Sequence, residues 1–92
     1  MMRIQWTSKA LTDLLRLHEF LARRNKPAAA LVMRSLAVAP DRLKDQPRIG
    51  ERLEEFEPRE VRRIVVGHYE LRYEVQRSSV VVLRLWHTRE SR

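Results

Sequence analysis

The sequence predicts an α+β fold of order β-α-α-β-β-β, a helical hairpin packed on a mostly antiparallel sheet. Three observations predict it. Residues 61–89, VRRIVVGHYELRYEVQRSSVVVLRLWHTR, read as three consecutive strands joined by two tight turns. The stretch from Ser8 to Ala39 repeats apolar residues at helical spacing and is interrupted once, at Asn25 and Pro27. Ahead of both, Arg3-Ile4-Gln5-Trp6 alternates polar and apolar, the period of a short strand. Helices segregated from a sheet in this way stack as two layers. At 92 residues the chain makes one domain, 1–92, with a modest core.

Each element has a local reason. Thr7 or Ser8 caps the first helix. Within it Ala10, Leu14, Leu17 and Leu21 share one face, and Leu11, Leu15, His18 and Ala22 a neighbouring one. That apolar arc is wider than a single contact needs. Either the helix is wedged between a second helix and the sheet, or one edge of the arc receives a partner. Asn25 is suited to the left-handed conformation that closes a helix, and Pro27 to the first turn of the next. Small residues, Ala28 to Ala30 and Ala37, let this second helix lie close against the first. Pro40 must kink it or split off a last turn, Asp41 to Lys44. Pro47-Arg48-Ile49-Gly50 is a turn signal, and Glu51 to Glu60 is charged and aperiodic, a surface loop with room for one helical turn around Leu53 to Phe56. Val61 to Val66 then leads into Gly67-His68, a two-residue turn with Gly first, the type II′ preference. Tyr69, Leu71, Tyr73 and Val75 alternate with Glu70, Arg72, Glu74 and Gln76, so one face of that strand is buried. After Arg77-Ser78-Ser79, Val80 to His87 is apolar on both faces for most of its length, the mark of a central strand.

Composition removes several functions. With no cysteine there is neither a disulfide framework nor a thiolate metal site. The N-terminus lacks the apolar stretch of a signal peptide, and no apolar run approaches membrane-spanning length, which together fit a cytoplasmic protein. His18, His68 and His87 have no metal-ligand spacing partners, and two glycines form no phosphate loop, so no metal or cofactor is expected. Net charge is +7, with 16 Arg against 3 Lys, a balance that suits nucleic acid, an acidic protein, or plain solubility. The excess is uneven: residues 1–45 hold nine Lys and Arg against four acids, and residues 46–92 hold ten Arg against eight acids.

The remaining constellation is Arg62, Arg63, Arg72, Arg84, His87 and Arg89. If Arg72 and Arg84 share the open face of the sheet with one of Arg62 and Arg63, their guanidinium groups could stabilise charge on a phosphoryl group. His87 would serve as general acid or base, which together would make a metal-free ribonuclease site. The competing reading is cross-strand ion pairing with Glu70 and Glu74. Trp86 and His87 at the strand end are then packing residues.

Taken over its full length, the chain resembles the ParE/RelE superfamily of type II toxin–antitoxin toxins. The resemblance rests on IQWTSKALTDL at the start, on Pro27-Ala28-Ala29, on Leu43, Pro47 and Gly50, and on the closing strands VRRIVVGHYELRYEV and VVVLRLWHTRE. It implies a toxin, of the kind linked to plasmid stabilisation, neutralised by a cognate antitoxin whose C-terminal segment wraps it. That would account for the wide arc, with Leu11, Leu15 and His18 as antitoxin contacts. Two activities occur in the superfamily. RelE-like members cut mRNA on the ribosome, which here would fall to Arg72, Arg84 and His87. ParE-like members poison DNA gyrase, and target contacts would then fall to Arg62, Arg63, Trp86 and Arg89. RelE-like nucleases usually carry a Lys- and Arg-rich sheet, often with a tyrosine near the C-terminus. This chain has no lysine after Lys44 and no tyrosine after Tyr73, so the resemblance is closer to ParE.

Overall fold

The computed structural model describes residues 1–90. The chain runs β1 (Arg3–Trp6), α1 (Ser8–Ala22), α2 (Lys26–Val38), β2 (Glu51–Arg52), β3 (Val61–Val66), β4 (Tyr69–Val75) and β5 (Ser79–His87), with 3₁₀ turns at Ala39–Lys44 and Glu54–Phe56. The strands form one sheet in the order β1-β5-β4-β3-β2. Only the β1–β5 pair is parallel. This is the expected α+β arrangement with one added strand.

That strand, β2, lies in the segment read as loop. Two charged residues carry no alternation, yet Glu51 and Arg52 pair opposite Arg63 and Arg62. With it in place, β4 is the middle strand and β5 is interior, between β1 and β4. The Gly67-His68 turn is as expected: Gly67 has φ +61°, no other described residue has positive φ, and Val66 pairs with Tyr69 across it.

The hairpin differs at one residue. Asn25 does not close α1 in the left-handed region. It is extended, with φ −161°, and its side chain accepts the Ala28 amide at 3.0 Å as the cap of α2. An Asn whose oxygen can satisfy a free amide of the next helix gains more there than in a strained backbone. Thr7 does the same for α1, accepting the Ala10 amide at 3.0 Å while its hydroxyl donates to the Leu83 carbonyl at 2.9 Å. One threonine thus caps the helix and fastens it to β5. Pro40, with no amide hydrogen to donate, stands where α2 gives way to the 3₁₀ turn.

Ala10 and Leu17 of α1, Leu36 of α2 and Leu43 pack on Leu71, Tyr73, Val80, Val82 and Leu85. The alternation of β4 therefore points its odd residues at the helices. Val82 opposes Tyr73 and Arg84 opposes Arg72, so Leu83 is an extra residue and β5 bulges there. The bulge lies just past the end of β1, whose last pair is Trp6 with Val82. From that point the flank of β5 is covered by α1 instead of a strand.

Candidate functional site

Where β1 stops, the amide of Leu85 has lost its ladder neighbour. Asp13 of α1 takes it: one carboxylate oxygen accepts from the Leu85 amide at 3.0 Å and from Arg84 Nε at 2.7 Å, and the other from Arg84 Nη2 at 3.1 Å. Asp13 is 3% exposed. Burial pushes its carboxyl up, but the Arg84 bond, the Leu85 amide and the charges of Arg84 and Arg16 outweigh that and leave it below the ordinary carboxylate value. Sequence reasoning assigned Asp13 no role. The signal was an acid on the Ala10–Leu17 face, where only apolar residues belong.

On the open face, register settles which arginine of β3 points outward. Ile64 opposes Leu71 on the helix side, so Arg63, opposite Arg72, is on the open side, and Arg62, opposite Tyr73, is not. Arg63 bonds Glu51 at 2.7 Å and Glu70 at 3.0 Å. Arg62 is locked beneath the loop, donating to Glu60 at 2.9 Å and to the Gly50 carbonyl at 2.7 Å. The loop is held from the other side by Tyr73, whose hydroxyl donates to the Pro47 carbonyl at 2.7 Å and accepts the Gly50 amide at 3.1 Å. Burial raises the Tyr73 phenol above its ordinary value. A side chain at Gly50 would meet the Arg63 carbonyl and the Tyr73 hydroxyl at 2.6 Å.

Arg72 lies between two rings. Its guanidinium stands 5.1 Å from the Phe56 centroid and 4.7 Å from that of Trp86, and its buried Nε has no hydrogen-bond partner. Glu70 is the nearest acid, at 3.8 Å. A cation held flat between rings is a packing element. The Arg72 side chain is 23% exposed, with Nη2 3.8 Å from Glu70.

His87 is on the other face. It opposes Tyr69, which belongs to the core side. Its ring stacks with His68 at 6.0 Å and meets the Tyr69 ring edge-on at 5.3 Å, and its Nδ1 accepts the Arg89 amide at 3.1 Å. The register does set Arg63, Arg72 and Arg84 in one row on the open face, as expected, but Arg72 packs on rings, Arg84 is turned to Asp13, and His87 is across the sheet.

A model of the family described as ParE toxin of type II toxin-antitoxin system, parDE, matches residues 4–92. The chain belongs to this ParE toxin family. A solved structure, the chromosomal ParDE TA system from P. aeruginosa, superimposes with a TM-score of 0.79 at 20% identity, covering 95% of this chain and 96% of that one. At that identity the likeness shows the fold. No curated protein matches.

In this ParE-family chain the expected contact residues divide by accessibility. Leu11, Leu15 and His18 are all exposed along α1, Leu15 at 64%. Of the four expected target contacts, Arg89 is exposed and Arg63 half-exposed, whereas Trp86 is 4% exposed and Arg62 is tied down. A groove of about 520 Å³, not foreseen from sequence, runs between α1 and the ends of β4 and β5, with Phe20, Arg24, Tyr69, His87 and Arg89 among its lining. Among the described residues no cluster of His, Cys, Asp or Glu could hold a metal, and no helix is long and apolar enough to cross a membrane.

Proposed function

We propose that this ParE-family toxin acts by protein contact, inhibiting DNA gyrase in the cytoplasm, and that a cognate antitoxin holds it inactive. The observation that carries this reading is that Arg72 and Arg84, though cross-strand neighbours, are held in intramolecular contacts, while His87 lies on the opposite face. Cleavage of mRNA of RelE type needs such groups to converge on one phosphate. A protein-binding toxin needs only an accessible surface: Arg89 is exposed beside the α1 groove, and Arg63 is half-exposed on the open face, shared between Glu51 and Glu70. Trp86 and Arg62 act on that surface by shaping it.

The antitoxin docks on the row Leu11, Leu15 and His18. Two exposed leucines in one helical row are the kind of apolar strip that an amphipathic segment covers. Neutralisation by such a partner is also what a plasmid-stabilising pair requires.

The test is purified toxin with gyrase and relaxed plasmid. Loss of supercoiling activity, or accumulation of cleaved plasmid, is expected, and Arg89→Ala should weaken it. No effect on gyrase at stoichiometric excess would sink the proposal. Cleavage of mRNA mapped on translating ribosomes and abolished by His87→Ala would put the RelE-type reading in its place.

A further inference from the structure

Unpaired cations are spread over the described residues, Arg3, Lys9, Arg34, Arg42 and Arg77 among them, and four more gather at the hairpin turn and the groove beside it. Arg48, Arg52, Arg59, Arg62, Arg63, Arg72 and Arg84 all lie within 4.0 Å of a carboxylate. Arg23, Arg24, Lys26 and Arg89 make no ion pair among the described residues. The first three flank the α1–α2 turn, and Arg24 and Arg89 line the groove. The groove's one acid, Glu90, is held by Arg16 at 3.3 Å. Among the described residues, these two arginines at the groove therefore have no acid within ion-pair distance.

Between these cations lie flat rings. Phe20 is 53% exposed, and the Arg24 guanidinium stacks over it at 4.9 Å. His87 is half-buried in the same groove and stacks with exposed His68. Arginine forks match phosphate oxygens, and exposed rings beside them match bases of any sequence. A carboxylate-bearing peptide would use the arginines but has no need of the ring faces.

We propose that this groove binds single-stranded nucleic acid, with backbone phosphates on Arg24 and Arg89 and a base against the rings of Phe20 and His87. The groove is distinct from the antitoxin row. Arg16, Phe20 and Arg24 repeat every four residues, as do Leu11 and Leu15, and at about 100° per residue the two rows fall on roughly opposite sides of α1. The proposal does not rest on gyrase as target, because strand binding is read in its absence.

The experiment is fluorescence anisotropy of a labelled oligothymidylate titrated with the full-length toxin. Arg24→Ala with Arg89→Ala should weaken binding at least about tenfold and flatten the slope of log affinity against log salt by about 1.4. Phe20→Ala alone should weaken it about tenfold through lost stacking. Arg3→Ala with Arg77→Ala removes the same charge near the opposite end of β5 and should change affinity less than about twofold. All five side chains are exposed, so each variant should keep the fold. Equal losses in the two double variants would mean a response to net charge only and would overturn the site. Displacement of the strand by polyglutamate at equal charge, with Phe20→Ala silent, would overturn it in favour of an acidic peptide. Absence of binding at low salt would overturn it outright.

Discussion

The open face of the sheet and the hairpin end of the molecule both carry arginines in number, and they hold them in opposite ways. On the sheet, Arg63 is shared between Glu51 and Glu70, Arg59 is paired with Glu74 at 2.8 Å, and Arg72 is stacked between Phe56 and Trp86. Glu74 shows the consequence: the Arg59 bond, against burial, holds its carboxyl below the ordinary value. At the hairpin end, Arg23, Arg24 and Lys26 follow one another with only Asn25 between and make no ion pair among the described residues. The difference teaches that a count of arginines does not locate a positive field. Where acids alternate with them on paired strands, the field closes on itself. Where they crowd a helix turn, it stays open to solvent and partners.

The contrast is strongest where a sheet arginine is fixed from inside the protein, so the largest effect is expected at Asp13. Asp13→Ala leaves the Leu85 amide and the Arg84 guanidinium without their acceptor. It should cost about 3 kcal/mol in urea unfolding, at the low end for a broken buried pair because Arg84 is a third exposed to water. The cost should also depend on pH. The Asp13 carboxyl titrates lower in the folded protein than its ordinary 3.8, so its contribution is fully present above 3.8. It is lost as pH falls below that value through the folded one. The gap between wild type and Asp13→Ala should narrow over that acid range and stay constant from pH 5 to 7. A gap of similar size at every pH would mean that packing, not charge, fixes α1 to β5.

Next comes Arg62, the arginine that faces inward. Arg62→Met keeps the stem but abandons the Gly50 carbonyl and half of the clasp on Glu60, which Arg48 also holds at 2.9 Å. About 1.5 kcal/mol is expected. The Glu60 carboxyl, pushed up by burial but held low overall by Arg62 and Arg48, should then titrate higher, a shift that NMR of the side-chain carboxyl reads directly. An unchanged Glu60 would show that Arg48 alone suffices.

How much of this was legible beforehand follows from how each feature is encoded. Alternation along Tyr69–Val75 and the glycine at 67 are local signals that the sequence carries, and it narrows the cap of α1 to Thr7 or Ser8, of which the structure uses Thr7. Asn25 was read as closing one helix when it opens the next, because the same side chain suits both ends. The two-residue β2 lies below any periodic signal: Glu51 and Arg52 are strand only because β3 is beside them. The choice between Arg62 and Arg63 needed the register, since a shift of one residue exchanges them. The candidate site was legible as residue types and only in part as a place. Strand order brings Arg72 and Arg84 side by side, and the structure keeps them so, but the Phe56 and Trp86 rings and Asp13 engage them and the pleat puts His87 on the other face. The groove escaped notice because it joins residues from positions 16 to 90.

A smaller effect is expected from Arg72→Lys. The charge is kept, but a compact ammonium cannot lie flat between two rings. About 1 kcal/mol should be lost. Arg72→Met should cost no more, because it also removes the buried Nε that has no hydrogen-bond partner. If methionine proves clearly worse than lysine, then charge rather than stacking holds Arg72, and the open face is less self-neutralised than its geometry suggests.

The smallest effect belongs to the hairpin end and tests the other half of the contrast. Removing Arg23 and Lys26 together, as Arg23→Ala with Lys26→Ala, breaks no ion pair and relieves repulsion with Arg24. Stability should stay within about 0.5 kcal/mol of wild type and lean towards a gain at low salt. The lean is the informative part. Charges held apart only by solvent repel more as salt is withdrawn, whereas paired charges on the sheet attract more. Lowering the ionic strength should therefore raise the stability of this double variant relative to wild type and lower that of Arg59→Met, which loses the Glu74 pair. If both variants move the same way, the division of the molecule into a closed and an open field does not hold.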